Sequence, residues 1–202
     1  MKQNMRKRTP LAVLLALCLA MQLCVPAAMA SNRLMRAGDA AIAQIEEEEG
    51  FRAEKYSSGG KWYIGYGTEC GAEDYPEGIT REEAELLLMS KVEAYEAKLN
   101  DFFGRYDVTP TQGQFDALIC FSYNFGTGWM SGTSDLVKIA RGEKDATRLE
   151  VAHAFGEWCH SGGQAQAGLA DRRLQEAAIY LDDSTRAAEN EFAYLIINME
   201  SG

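Results

Sequence analysis

Glu46-Glu47-Glu48-Glu49-Gly50-Phe51-Arg52, followed by Tyr56 and by Trp62-Tyr63-Ile64-Gly65-Tyr66-Gly67, is the stretch on which the reading of this chain turns. Asp39 to Glu49 predicts a helix, with Ile42 and Ile45 as its apolar stripe and Gly50 as its stop. From Phe51 to Cys70 the pattern changes. Tyr56, Trp62, Tyr63, Ile64 and Tyr66 are interleaved with Gly59, Gly60, Gly65 and Gly67, which predicts a small twisted hairpin sheet. Four acids on a helix ordinarily face solvent, and Glu46 and Glu47 fit that pattern. Glu49 stands apart, because an acid at a helix C-terminus opposes the macrodipole and costs roughly a few tenths of a kcal/mol. A carboxyl between a helix end and an aromatic hairpin can be half buried. Burial raises the pKa of an acid, which suits a general acid at neutral pH.

Downstream, a polar loop from Gly71 to Gly78 leads to Thr80-Arg81-Glu82-Glu83, a capping box in which Thr80 caps and Glu83 reaches back. Ala84, Leu88, Val92, Tyr95 and Leu99 then recur at helical spacing, predicting a long helix to about Leu99 with one buried face. Thr111-Gln112-Gly113-Gln114 is a second capping box. It opens a nearly all-apolar segment, Phe115 to Phe125, expected to be buried on most sides and broken at Gly126 and Gly128. Shorter helices are expected at Ser134–Arg141, Asp145–Trp158 and Ala170–Leu181; beyond Asp182 the tail holds one more helix or is loose. One early hairpin sheet among helices is an α+β plan.

Upstream, Met1 to Pro10 is basic, Leu11 to Val25 is apolar apart from Gln22, and Pro26-Ala27-Ala28-Met29-Ala30 ends in small residues. This is the pattern of a secretory signal peptide cut after Ala30. The rival is retention as a signal anchor, since Leu11 to Ala30 is just long enough to span a bilayer. Leu17 and Leu23 precede Cys18 and Cys24 where a lipoprotein box needs a small residue. Residues 1–30 are thus expected to be an address and 31–202 the working domain, secreted or in the cell envelope.

The 202 residues suit one domain, with 47% hydrophobic and 25% charged. Net charge is −10, and loss of the four bases Lys2, Arg6, Lys7 and Arg8 with the leader takes it to −14. Such a surface repels phosphate backbones, so no nucleic-acid partner is expected. The membrane is met only through the N-terminal segment, and a monomer is expected. Three cysteines follow the leader (Cys70, Cys120 and Cys159), an odd number that leaves at least one thiol free or in an intermolecular bond. Cys120, on the apolar helix, is expected to be a packed free thiol. His153 and His160 are poorly spaced as a metal pair, so no metal and no cofactor are expected.

Glu49-Gly50-Phe51-Arg52, Tyr56 and Ile64-Gly65-Tyr66-Gly67 together resemble the phage-type lysozymes, glycoside hydrolase family 24. The likeness extends through Ile79-Thr80-Arg81-Glu82-Glu83-Ala84-Glu85, Thr111 to Leu118 with Phe121, Asn124 and Gly126, and Trp158, Gly162-Gly163, Gly168-Leu169 and Arg172-Arg173. It covers about residues 38–182. The resemblance implies a lysozyme-like fold, with a small N-terminal β-hairpin lobe and a larger helical lobe joined by a long helix. It implies a muramidase that hydrolyses the β-1,4 bond of peptidoglycan after N-acetylmuramic acid, with Glu49 as the general acid.

The family ordinarily adds an Asp nine residues after that Glu and a Thr six beyond. Here the ninth residue is Ser58, with Ser57 beside it; the residue before Ile64 is Tyr63; and the spacing is one residue shorter. Ser57 and Ser58 therefore compete for the Asp position, and Ser58 and Tyr63 are the candidates for handling the attacking group. Glu69, Glu73 and Asp74 are candidates for a replacement carboxylate. Two other outcomes stay open. One is a single-Glu lytic transglycosylase giving 1,6-anhydro products; the other is a degenerate fold that binds glycan or a partner without cutting. Asn124 is a candidate glycan hydrogen-bonder or a helix-end cap. Arg52, Arg172 and Arg173 are surface cations, or one of them pairs with Glu48 or Glu49. Trp62, Tyr63 and Tyr66 suit sugar faces, although Tyr66 also reads as core, as does Trp158.

Overall fold

The computed structural model describes residues 34–182. The leader and the tail after Asp182 lie outside them. Helix α1, Asp39–Glu49, forms where expected and ends at Gly50, whose φ of 64° is left-handed. Its buried residues are Ala41 and Ile45, with Ile42 only partly covered. Its N-terminus carries no side-chain cap of its own. Asp116 supplies one from another helix, accepting from the Gly38 amide at 2.9 Å, while Glu96 accepts from Ala37 at 2.7 Å. These two buried carboxylates anchor the start of α1 and so set where its far end, Glu49, lies.

The aromatic segment is a three-stranded antiparallel sheet: β1 Arg52–Ser58, β2 Lys61–Gly65 and β3 Thr68–Cys70. Tyr56 pairs with Tyr63 and Ser58 with Lys61; on the other side Tyr63 pairs with Glu69. Gly59 and Gly60 both have positive φ at the β1–β2 turn, the geometry that glycine supplies at no steric cost.

Helix α2, Arg81–Arg105, starts at the Thr80 capping box and is longer than the apolar spacing predicts. The expected stop near Leu99 is overrun because Phe102 and Phe103 continue the buried face. At 1.5 Å per residue its 25 residues span about 37 Å. Helix α3, Gln112–Phe125, begins at the Thr111 capping box and buries every residue from Phe115 to Tyr123. It packs against α1 and α2 and against α6, Ala167–Tyr180. Between them lie a 3-10 turn at Gly128–Ser131, α4 Asp135–Ala140 and α5 Arg148–Gly156. Helix α5 is shorter than the expected Asp145–Trp158, because Thr147 and Glu150 form a capping box that fixes its start. A two-residue hairpin, β4 His160–Ser161 with β5 Gln164–Ala165, turns through Gly162 and Gly163 and is absent from the sequence expectations.

Phe121 is the hub of the core. The rings of Phe125, Trp129, Phe155 and Trp158 lie 5.6–5.8 Å from it, and the Arg173 guanidinium sits 4.6 Å above it. Cys120 is a buried free thiol, as expected; Cys70 and Cys159 are also free. Burial pushes the Cys120 thiol far up, so it packs as a small hydrophobe.

Candidate active site

The C-terminus of α1 carries a partial negative charge and no basic residue in its last turn, so Glu49 needs a cation from elsewhere. Arg172, on α6, supplies it: Nη1 donates to Glu49 Oε1 at 2.8 Å. The side chains are 7% and 21% exposed respectively, so the pair is shielded while the carboxyl keeps one open side. Glu49 Oε2 faces the turn between β2 and β3. A Cβ built on Gly67 would stand 3.1 Å from it and 3.9 Å from the Tyr56 hydroxyl. Gly67 has φ of 74°, so both conformation and space require glycine there. Gly67→Ala is expected to strain the backbone by about 1–2 kcal/mol. It should also push the carboxyl aside, with catalytic loss on the order of 100-fold for a 1 Å misplacement. Retention of full activity in a folded Gly67→Ala protein would mean that Glu49 is not held by this contact.

Around Glu49 the neighbours register its charge. Tyr56, Tyr95 and Tyr123 all have hydroxyls pushed up, chiefly by burial; the Glu49 carboxylate adds to the rise in each, although at Tyr56 the Arg52 cation opposes it more strongly. Lys91 projects from α2 with its ammonium 3.8 Å over the Tyr123 ring and donating to Gly67 O at 3.4 Å. Burial pulls its pKa down, while Glu49 pulls it up. The sequence reading missed Lys91, Tyr95 and Tyr123 as site residues. The available signal was position: Lys91 and Tyr95 follow Leu88 at steps of three and four, on the edge of the buried stripe.

Of the expected site residues, Glu49 and Arg172 come together. Arg52 is elsewhere, its guanidinium 4.2 Å over the Tyr56 ring. Tyr63 stacks against Tyr56 at 5.7 Å. Ser58 lies exposed at the hairpin tip, paired with Lys61, and the strand alternation puts it on the Tyr56 side of the sheet; Ser57 pairs with Trp62 on the other side. Tyr66 needs correcting as a sugar-facing ring. It is 1% exposed, packed against Phe51, with its hydroxyl accepting from Arg81 at 2.7 Å. Asn124 does not cap its helix through its side chain; its Oδ1 accepts from Arg173 at 3.0 Å.

Behind Arg172 a second carboxylate, Glu176, is 1% exposed and meets Arg172 Nε at 3.5 Å and Arg173 Nη2 at 2.8 Å. Burial pushes it up to about 7, against the pull of both guanidiniums. A folded-state pKa above the ordinary 4.5 gives stability that is full below 4.5 and lost as pH rises through about 7. The melting temperature is therefore expected to fall between pH 5 and pH 7. At roughly 1.4 kcal/mol per pKa unit and about 2–4 °C per kcal/mol, the drop is on the order of 5–10 °C. Glu176→Gln should flatten that slope. A melting temperature that rises over the same interval would place the Glu176 proton elsewhere.

An α1-end carboxylate set against a small antiparallel sheet, with a long helix leading into a helical body, defines the lysozyme-like α+β class. Residues 46–176 match the family model described as phage lysozyme, and the chain belongs to that family. It is 33% identical over 161 residues to the endolysin of Bacillus phage B103, covering 78% of this chain and 58% of that protein. The chain thus spans a little over half the length of such curated relatives. Among solved structures, it is similar to the endolysin from Escherichia coli O157:H7 phage FAHEc1, with 32% identity and a TM-score of 0.62. That match covers 75% of this chain and 96% of that one. It is also similar to the muramidase domain of SpmX from Asticaccaulis excentricus, with 28% identity and a TM-score of 0.58. Here 72% of this chain and 97% of that one are covered.

Proposed function

We propose that this protein is an exported peptidoglycan glycosidase that hydrolyses the β-1,4 bond between N-acetylmuramic acid and N-acetylglucosamine, with Glu49 as the general acid. Family membership supports the substrate class. The observation that carries the chemistry is the setting of Glu49: one oxygen held by Arg172 at 2.8 Å, the other against the Gly67 turn. A proton donor to a glycosidic oxygen has to be fixed in this way, since positioning precedes pKa in general acid catalysis. Export rests on residues 1–30 alone. Among the described residues no helix is long and apolar enough to cross a membrane.

A second reading is favoured by one observation, the uncharged Ser58 and Tyr63 at the expected partner positions. In it the muramic acid C6 hydroxyl attacks its own anomeric carbon. Digestion of purified peptidoglycan followed by mass spectrometry separates the two. Reducing-end muropeptides support hydrolysis, and 1,6-anhydro ends support transglycosylation. Absence of fragments from folded protein would leave a glycan binder and defeat both.

A further inference from the structure

A hydrolase that uses Glu49 as acid needs a group to take the proton of the attacking water, and the hydroxyls of Ser58 and Tyr63 bring no negative charge to that task. The sheet supplies a carboxylate from a different strand. Tyr56 and Tyr63 are register partners with stacked rings, so their side chains share a face. Glu69 is the register partner of Tyr63 on the next strand. Its Oε2 meets Lys61 Nζ at 2.8 Å, and Lys61 is two residues from Tyr63, hence on the same face. Tyr56, Tyr63 and Glu69 therefore form one row across the three strands, and the Tyr56 end of that row stands beside Glu49 and Gly67.

Glu69 is also close to Glu49 along the chain from Gly67. Glu69 is two residues past Gly67, so their Cα atoms are at most about 7 Å apart. The Cβ position of Gly67 is 3.1 Å from Glu49 Oε2. Lys91, bonded to the Gly67 carbonyl, feels the charge of both Glu49 and Glu69. That places the Glu69 side chain within reach of the roughly 5–9.5 Å separation over which paired glycosidase carboxylates work. Its ion pair with Lys61 is more than half exposed on both sides, so it is weak and does not lock the carboxylate away. The other two candidates fare worse. Asp74 closes its own loop by accepting from the Gly71 amide at 2.7 Å, and Glu73 lies in that same exposed loop.

We propose that Glu69 is the second catalytic carboxylate of this site, the base that activates the attacking water. This rests on the reading of Glu49 as acid and of a peptidoglycan glycan as substrate. The water oxygen bonds to the anomeric carbon of the muramic acid residue, and its proton passes to the Glu69 carboxylate. The bond from that carbon to the leaving oxygen breaks with its electron pair on oxygen, which takes the Glu49 proton. Glu49 ends ionised and Glu69 protonated, and exchange with solvent resets both. The anomeric configuration inverts.

The test compares the parent, Glu49→Gln, Glu69→Gln and Glu69→Ala, each checked for an unchanged melting temperature, on purified peptidoglycan with mass-spectrometric readout. Glu69→Gln is expected to slow release of reducing-end muropeptides by about 100-fold or more. Sodium azide is expected to restore turnover to Glu69→Ala, giving muramic acid ends that carry an α-glycosyl azide, a product that a merely structural role for Glu69 would not generate. Glu69→Gln working at the parental rate while Glu49→Gln is dead would overturn the proposal and leave the acid intact. Slow Glu69→Ala turnover with no azide adduct would also overturn it, as would 1,6-anhydro ends from the parent. Parental rates in both single Gln variants, or no fragments from the parent, would overturn the underlying reading of Glu49 and this proposal together.

Discussion

Glu49→Gln is expected to lower the rate of peptidoglycan solubilisation by about 10²–10⁴-fold, the range that a positioned proton donor contributes. The amide keeps the shape of the side chain and an oxygen that can still accept from Arg172, now 2.8 Å from Glu49 Oε1. What it lacks is the proton to give. The stability cost should be modest, about 1 kcal/mol for exchanging a charged for a neutral acceptor. Arg172 retains Glu176 on its other side, so no cation is stranded. A calorimetric melt separates the two effects, since a variant that melts near the parent and fails to clear cell walls has lost chemistry alone. Wall clearance at the parental rate would remove Glu49 from the mechanism.

Phe121→Ala is the largest expected stability effect. Its ring is fully buried at the centre of α3 and touches four other aromatic rings. Truncation of such a phenylalanine costs about 3–5 kcal/mol, transfer and cavity terms combined. Here the loss has a second part. The Arg173 guanidinium lies over the same ring at 4.6 Å, fully buried, and its cation loses that face. Since Arg173 also holds Asn124 and Glu176, the damage reaches the support behind Arg172. Urea titration should show a lower midpoint with an unchanged slope. A shift under 1 kcal/mol would mean that the surrounding rings collapse into the space.

Much of this was legible in the chain because local signals agree with the fold. Both capping boxes, at Thr80 and Thr111, open the helices they predict. Gly50 ends α1 at the predicted residue, and that alone places Glu49 at a helix terminus. Two causes lie behind the misreadings: tertiary contact overriding local pattern, and elements too short to show a pattern. The α2 helix passes Leu99 because Phe102 and Phe103 have a core to enter. The β4–β5 hairpin is two residues per strand, too short for any alternation to be visible. Tyr66 has an aromatic ring among glycines, as a sugar-stacking residue would, yet Phe51, Arg81 and Tyr123 close over it. For the site, the sequence located Glu49 and brought Arg172 into the set of possible partners. It named Tyr63 and Glu69 as candidates but not their alignment in one row with Tyr56, and it did not reach Lys91, because those depend on strand register and on which side of α2 meets the Gly67 turn.

The bridge from Glu49 to Arg172 joins residues 123 positions apart. On the ribosome, chains emerge from the N-terminus first. α1 and the sheet are therefore outside the tunnel well before α6 exists to meet them. Until α6 docks on α3, Glu49 has the Gly67 turn against one oxygen but no cation on the other. Of the described helices α6 is the last to be made, so a chain that stops before it lacks the cation that holds Glu49.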